Sequence, residues 1–196
     1  QGPTQNAHLA PEDFEFIKWH YRPFSKLCLS YSRTLNERVY QQPKIFPDNS
    51  SQNVGISITG IGSRNGFSVL MSNCITDLNL LEAGAQFFPL HMYRNSEKKI
   101  DLLSGDLIEN DRSEKSAITE YALGLFRERY SDKELTDQDI FYYVYGVLHS
   151  QEYREKFANN LLRELPRIPL VNNKHTFDEF VIAGRKLGQT HVDFSK

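Results

Sequence analysis

At 196 residues the chain is long enough for one domain with a real core, and its 39% apolar content, with 13 Phe and 10 Tyr, excludes a disordered polymer. No apolar run reaches the roughly 18 residues of a membrane-spanning helix, so no membrane partner is expected. A net charge of −2 and a pI near 6.3 lack the overall basic footprint of a free nucleic-acid binder.

The start, Gln1-Gly2-Pro3-Thr4, has neither an initiator Met nor a signal pattern, which suggests a piece of a longer protein. Residues 18–46 hold six basic side chains (Lys18, Arg22, Lys26, Arg33, Arg38 and Lys44) against one acid, Glu37. Within them Leu27, Leu29 and Tyr31 alternate with Cys28, Ser30 and Ser32, the period-2 sign of a half-buried strand. Residues 41–53 read as a long polar connection. Val54, Ile56 and Ile58 announce another strand, 67–71 a third and 86–93 a fourth, with Pro89 placing the last at an edge or bulge. Between the second and third, residues 60–66 (Gly-Ile-Gly-Ser-Arg-Asn-Gly) form a hairpin loop. The acidic, Ser-rich segment 94–116 is the seam before the helical half.

Four helices are expected after it. Residues 117–130 put Ile118, Tyr121, Ala122 and Leu125 on one face. Thr136 and Asp139 form a capping box ahead of a stripe of Ile140, Tyr143, Val144, Val147 and Leu148. Ser150 can cap a third helix that buries Tyr153, Phe157, Leu161, Leu162 and Leu165 and stops at Pro166 and Pro169. Thr176 with Glu179 opens a fourth through Phe177, Phe180, Val181, Gly184 and Leu187, with Gly188 as terminator. Strands first and helices afterwards define an α+β chain: an antiparallel β-rich lobe over 19–93, the connection 94–116 and a helical lobe over 117–192, in one domain.

The chemistry visible in the residues is that of binding. Cys28 and Cys74 cannot form a disulfide framework and fit two buried thiols of a cytoplasmic protein. Six scattered histidines never pair at ligand spacing, so no metal site or domain cofactor is expected. The 60–66 loop is G-x-G-x-x-x-G with no Lys-Ser or Lys-Thr behind it, which argues against a phosphate loop. As a hairpin tip it would present Ser63, Arg64 and Asn65, and Arg and Asn suit guanine and adenine edges. Asp48 with Glu97 and Lys99 imitates a magnesium-dependent nuclease site, though nothing in the sequence brings Asp48 near Glu97. Residues 101–139 carry eleven acids against five bases and should face away from a polyanion.

Three ordered blocks carry a family resemblance. They are Trp19-His20-Tyr21-Arg22-Pro23-Phe24, then Cys74-Ile75-Thr76-Asp77-Leu78-Asn79-Leu80-Leu81 with Phe88-Pro89-Leu90-His91-Met92-Tyr93, then residues 139–150 with Tyr153-Arg154 and 164–170. Together they resemble the C-terminal specificity domain of type ISP single-chain restriction–modification enzymes. The resemblance implies recognition of double-stranded DNA beside an upstream adenine methyltransferase of the same polypeptide. It also implies S-adenosylmethionine, ATP and magnesium for that parent, which is both a methyltransferase and an ATP-dependent endonuclease. Neither an N-P-P-Y motif nor a Walker lysine occurs in this chain.

The reading that follows is a DNA target-recognition module without catalysis of its own. Arg22, Lys26, Arg33 and Arg38 are expected on phosphates, and Ser63, Arg64 and Asn65 on bases. The alternatives are a protein-docking module that uses the aromatic helical lobe and a stand-alone magnesium-dependent nuclease.

Overall fold

The computed structural model describes residues 15–31, 36, 39–82, 84–95 and 112–194, and these form a mixed α+β chain with strands in its first half and most helices in its second. β1 (Glu15–Arg22) and β2 (Ser25–Tyr31) make an antiparallel hairpin in which Trp19 faces Leu27 and Ile17 faces Leu29. Sequence alternation misses β1 because Phe16 is 64% exposed while His20 is fully buried, the reverse of their usual preferences. β3 (Gly55–Ile58) lies between β4 (Val69–Ser72) and β6 (Gln86–Pro89) in a second antiparallel sheet. The expected antiparallel character has one exception, since β5 (Ile75–Thr76) pairs with β1 in parallel.

The single strand expected over 86–93 is two. Pro89 closes β6 at the sheet edge, Leu90 turns into the core, and β7 (His91–Asn95) pairs instead with β8 (Arg112–Ser116). β8 falls inside the segment read as a connection. In the polar 41–53 stretch a single turn, α1 (Gln42–Ile45), buries Ile45.

α2 (Glu120–Tyr130) is capped by Thr119, whose side chain accepts from the Ala122 amide. Its buried face is Phe126 and Tyr130, not the expected stripe: Tyr121 is 77% exposed and Leu125 is also exposed. The two inward rings pack on Phe177 at 5.8 and 4.8 Å, which buries more ring area than the predicted face could. α3 (Asp137–His149) begins at the reciprocal Thr136–Asp139 box and buries Ile140, Tyr143, Val147 and Leu148. The third helix is split at Phe157 into α4 (Gln151–Lys156) and α5 (Ala158–Leu161). That break ends the 3.6-residue register, so Leu162 and Leu165, expected inside, are exposed. α6 (Lys174–Val192) starts earlier than predicted, because Asn173 caps it by accepting the Thr176 amide at 2.8 Å.

Gly188 does not terminate α6. A Cβ there would lie 2.6 Å from Met71 Sδ, so the glycine admits β4 against the helix. Gly146 and Gly184 do the same between α3 and α6, where a Cβ would meet the Phe180 carbonyl oxygen at 2.4 Å and the Tyr142 carbonyl oxygen at 2.0 Å. The main core runs through this crossing and joins Ile56, Ile58, Val69 and Met71 of the sheet to Tyr143, Tyr145, Val147 and Phe177 of the helices. Buried phenols keep polar partners: Tyr145 Oη accepts the Met71 amide at 3.0 Å, and Tyr143 Oη donates to the Pro169 carbonyl. A smaller cluster of Ile17, Ile45, Phe46 and Ile75 supports the β1–β2 hairpin. Of the two thiols expected inside, Cys74 is buried but Cys28 is exposed, because Leu29 and Tyr31 take the face of β2 that packs on this cluster and Cys28 alternates to the other. No helix among the described residues is long and apolar enough to cross a membrane.

Candidate nucleic-acid interface

The loop between β3 and β4 is the hairpin tip the sequence predicts. The Thr59 amide donates to the Ser68 carbonyl at its base, and Gly62 and Gly66 take φ of 79° and 82°, which glycine adopts without strain. What holds its shape was not foreseen. Glu82 reaches back to the tip and accepts from the Ser63 hydroxyl, from the Arg64 amide at 3.0 Å and from the Asn65 amide at 3.4 Å. The Ser63 hydroxyl also lies 2.9 Å from the Gly66 carbonyl oxygen. These bonds, that of Ser63 foremost, hold the Glu82 carboxyl below the usual carboxylate range. The tip also touches the helical half through the Gly62 amide, which donates to the Leu162 carbonyl at 2.9 Å. With these amides facing a carboxylate, the tip offers no backbone nest to a phosphate. It offers the exposed side chains of Arg64 and Asn65.

The basic stretch is less uniform than its sequence. Arg22 pairs with Asp77 at 3.0 Å, donates to its neighbour's carbonyl and lies 4.1 Å above the Tyr21 ring. Lys26 donates to the Val192 carbonyl at 2.9 Å and to Asn73 Oδ1 at 3.1 Å, so it satisfies a carbonyl that the end of α6 leaves open. Arg33 and Arg38 lie outside the described residues. So do Glu97 and Lys99 of the nuclease lookalike, while Asp48 spends one carboxylate oxygen on a turn, accepting from the Ser50 amide and the Ser51 hydroxyl at 2.9 Å each. Among the described residues no group of three or more His, Cys, Asp or Glu could hold a metal ion.

A second feature emerges only from the fold. A cleft of about 1220 Å³ opens between the 39–44 segment, the β7–β8 hairpin and the first turn of α2. Lys44, Arg94 and Lys115 line it, with Tyr121 at the rim and Glu120 as its acid. In the β7–β8 register Met92 faces Lys115 and Arg94 faces Ser113, which places both cations on one face of the hairpin. Glu114 belongs to the other face, where it meets His91 Nδ1 at 3.0 Å. Tip and cleft lie at opposite ends of β3: the tip leaves Ile58, whereas β7 starts just beyond Pro89, the partner of Gly55.

The fold and these surfaces define a mixed α+β module that presents polar and cationic side chains outward from a helix-backed sheet. The chain belongs to the Type ISP C-terminal specificity domain family, whose profile matches residues 3–196. Among solved structures it is similar to one in the cryo-EM structure of a DrdV–DNA complex, with a TM-score of 0.81 and 34% identity over 98% of this chain and 17% of that one. It is also similar to the ATP-dependent Type ISP restriction–modification enzyme LlaBIII bound to DNA (TM-score 0.77, 28% identity, 97% of this chain, 12% of that one). A nuclease-deletion mutant of the Type ISP enzyme LlaGI, in complex with a DNA substrate mimic, matches with a TM-score of 0.72 and 31% identity over 98% of this chain and 15% of that one. The chain thus spans a small part of each of these proteins. No curated protein matches it.

Proposed function

We propose that this chain recognises the double-stranded DNA target of a restriction–modification polypeptide and holds it in register for chemistry performed elsewhere. The observation that carries this reading is the tip itself, in which an exposed Arg64 and Asn65 are fixed on a loop whose backbone is already satisfied by Glu82. Base reading needs side chains of defined reach on a rigid support, and Arg and Asn make the bidentate contacts that tell guanine and adenine apart. Ser63, bound to the clamp, sets the loop's shape and leaves the base edges to its neighbours. Arg33 and Arg38 supply phosphate contacts. Arg22 and Lys26 add to them where they exchange their in-chain partners for phosphate oxygens.

The parent would be a cytoplasmic enzyme that couples this module to an upstream adenine methyltransferase and an ATP-dependent endonuclease, with S-adenosylmethionine, ATP and magnesium bound outside this chain. LlaBIII, a structural relative, is an ATP-dependent Type ISP restriction–modification enzyme. The chain alone should then neither transfer methyl groups nor cleave DNA with magnesium. Binding titrations against cognate and scrambled duplexes test the reading. The wild-type chain should prefer the cognate, and equal affinity for both would refute sequence recognition.

A further inference from the structure

We infer that the cleft between the 39–44 segment, the β7–β8 hairpin and the first turn of α2 grips the phosphodiester backbone of the duplex, through Lys44, Arg94 and Lys115. This rests on the DNA reading above and gives it a second contact surface at the far end of β3 from the tip.

Charge placement is the first argument. Several surface cations elsewhere sit against carboxylates: Arg22 with Asp77, Arg167 with Glu164, Arg185 with Asp139, and Lys174 with both Asp132 and Asp178. Among the described residues no carboxylate pairs with Lys44, Arg94 or Lys115, and all three side chains are exposed. Arg94 and Lys115 are diagonal neighbours on one face of a two-stranded ladder, about 5–8 Å apart in such a pair, and like charges so placed repel. A bound polyanion converts that repulsion into attraction. Among the described residues that line it the acid is Glu120, against the three cations Lys44, Arg94 and Lys115.

Size and lining point to a polymer. At about 1220 Å³ the cleft exceeds the roughly 300–1,000 Å³ of ordinary small-molecule sites. Its aromatic rim includes Tyr121, 77% exposed on the first turn of α2, a ring that can lie against the sugar–phosphate edge. Specificity would then come from the tip and grip from the cleft, each with its own signature in solution.

The experiment measures binding of the 196-residue chain to cognate and scrambled fluorescent duplexes across a salt series, for the wild type, Lys44→Gln, Arg94→Gln, Lys115→Gln and the triple variant. Each single change should weaken both duplexes alike and reduce the slope of log K against log salt by about 0.9. The triple variant should lose close to three such contacts while keeping the ratio of cognate to scrambled affinity. Lys186→Gln, an exposed cation on α6, is the comparator and should leave the slope unchanged. Because the three side chains have no in-chain partners among the described residues, their thermal midpoints should stay near that of the wild type. A triple variant with the wild-type slope on both duplexes overturns the cleft assignment and leaves DNA recognition standing. A wild-type chain that binds neither duplex at any salt overturns the DNA reading and this inference with it.

Discussion

Glu82 accepts the Arg64 amide at 3.0 Å, so an acid fixes the residue proposed to read a base on a polyanion. The apparent conflict resolves once shape and charge are separated. Glu82 is half-buried and spends its carboxylate on the tip, so it repels phosphate weakly, but it defines the loop from which Arg64 and Asn65 extend. Glu82→Ala should therefore lower the ratio of cognate to scrambled affinity while raising binding to scrambled duplex slightly, since one negative charge is gone. Arg64→Ala should cost roughly 1–3 kcal/mol on the cognate site and relax preference at one base position. Titrations on a panel of single-base variants measure both. An unchanged base preference in both mutants would mean that the tip does not read sequence.

The crossing of α3 and α6 predicts opposite effects for three glycine-to-alanine changes. At Gly146 and Gly184 the new methyl group meets backbone oxygens at 2.4 and 2.0 Å, so the helices must separate, and each variant should lose several kcal/mol by the overpacking route. At Gly124 in α2 nothing lies within 4 Å of the added carbon, and the helix gains about 0.5–1 kcal/mol from the better former. Urea denaturation orders the three. A Gly184→Ala chain as stable as the wild type would show that the helices do not cross so closely.

Lys26 separates a structural from a ligand-binding role. Its hydrogen bonds tie β2 to the end of α6 through Val192 and to the β4–β5 turn through Asn73, so Lys26→Met should lower stability by about 1 kcal/mol without DNA present. If the ammonium also exchanges onto phosphate, the same variant reduces the salt slope by about one contact. Thermal melts and the salt series read the two effects independently. A drop in stability with an intact slope removes Lys26 from the interface.

Where the sequence was legible, the determinants were local. The Thr136–Asp139 box, the α3 stripe and the hairpin around 60–66 depend on residues within a few positions of one another, and all three form. β8 was not legible, because Arg112-Ser113-Glu114-Lys115-Ser116 has no apolar residue to alternate. Pairing with β7, some twenty residues earlier, makes it a strand. Gly188 misled because a helix-stopping glycine and a packing glycine look alike in one dimension, and Met71, which decides between them, comes from a distant strand. Glu82 acts across 17 to 19 residues, and Lys44, Arg94 and Lys115 meet only after three separate elements assemble. The 101–139 stretch is acidic on average, yet Lys115 inside it lines the same cleft as Lys44 and Arg94. Average charge along a chain says little about which side chains share a face.

His20 predicts how the fold responds to acid. Its Nδ1 lies 3.0 Å from Ser72 Oγ, and Ser72 in turn donates to the Cys74 carbonyl at 3.1 Å, which assigns the imidazole proton to Nδ1. Nε2 is buried with no hydrogen-bond partner among the described residues, and the ring stacks on Phe194 at 5.5 Å. Protonation would bury a charge and an unmatched donor, so desolvation first, and the Lys26 ammonium second, pushes the His20 pKa down to about 4. In the unfolded chain a histidine titrates near 6.5. Between those values the unfolded state binds the proton and the folded state does not, so stability rises with pH across that window. The contribution is complete above about 6.5 and is lost progressively as pH falls towards 4. Its size is on the order of 1–3 kcal/mol. His149 and His191, both lowered chiefly by burial, act in the same direction. Urea midpoints should therefore fall between about pH 7 and about pH 5. His20→Leu, which cannot titrate, should start less stable because Ser72 loses its partner, yet lose less on acidification than the wild type. Parallel pH profiles for the two chains would show that His20 is protonated in the fold as readily as out of it, and the buried, half-satisfied imidazole described above would then be wrong.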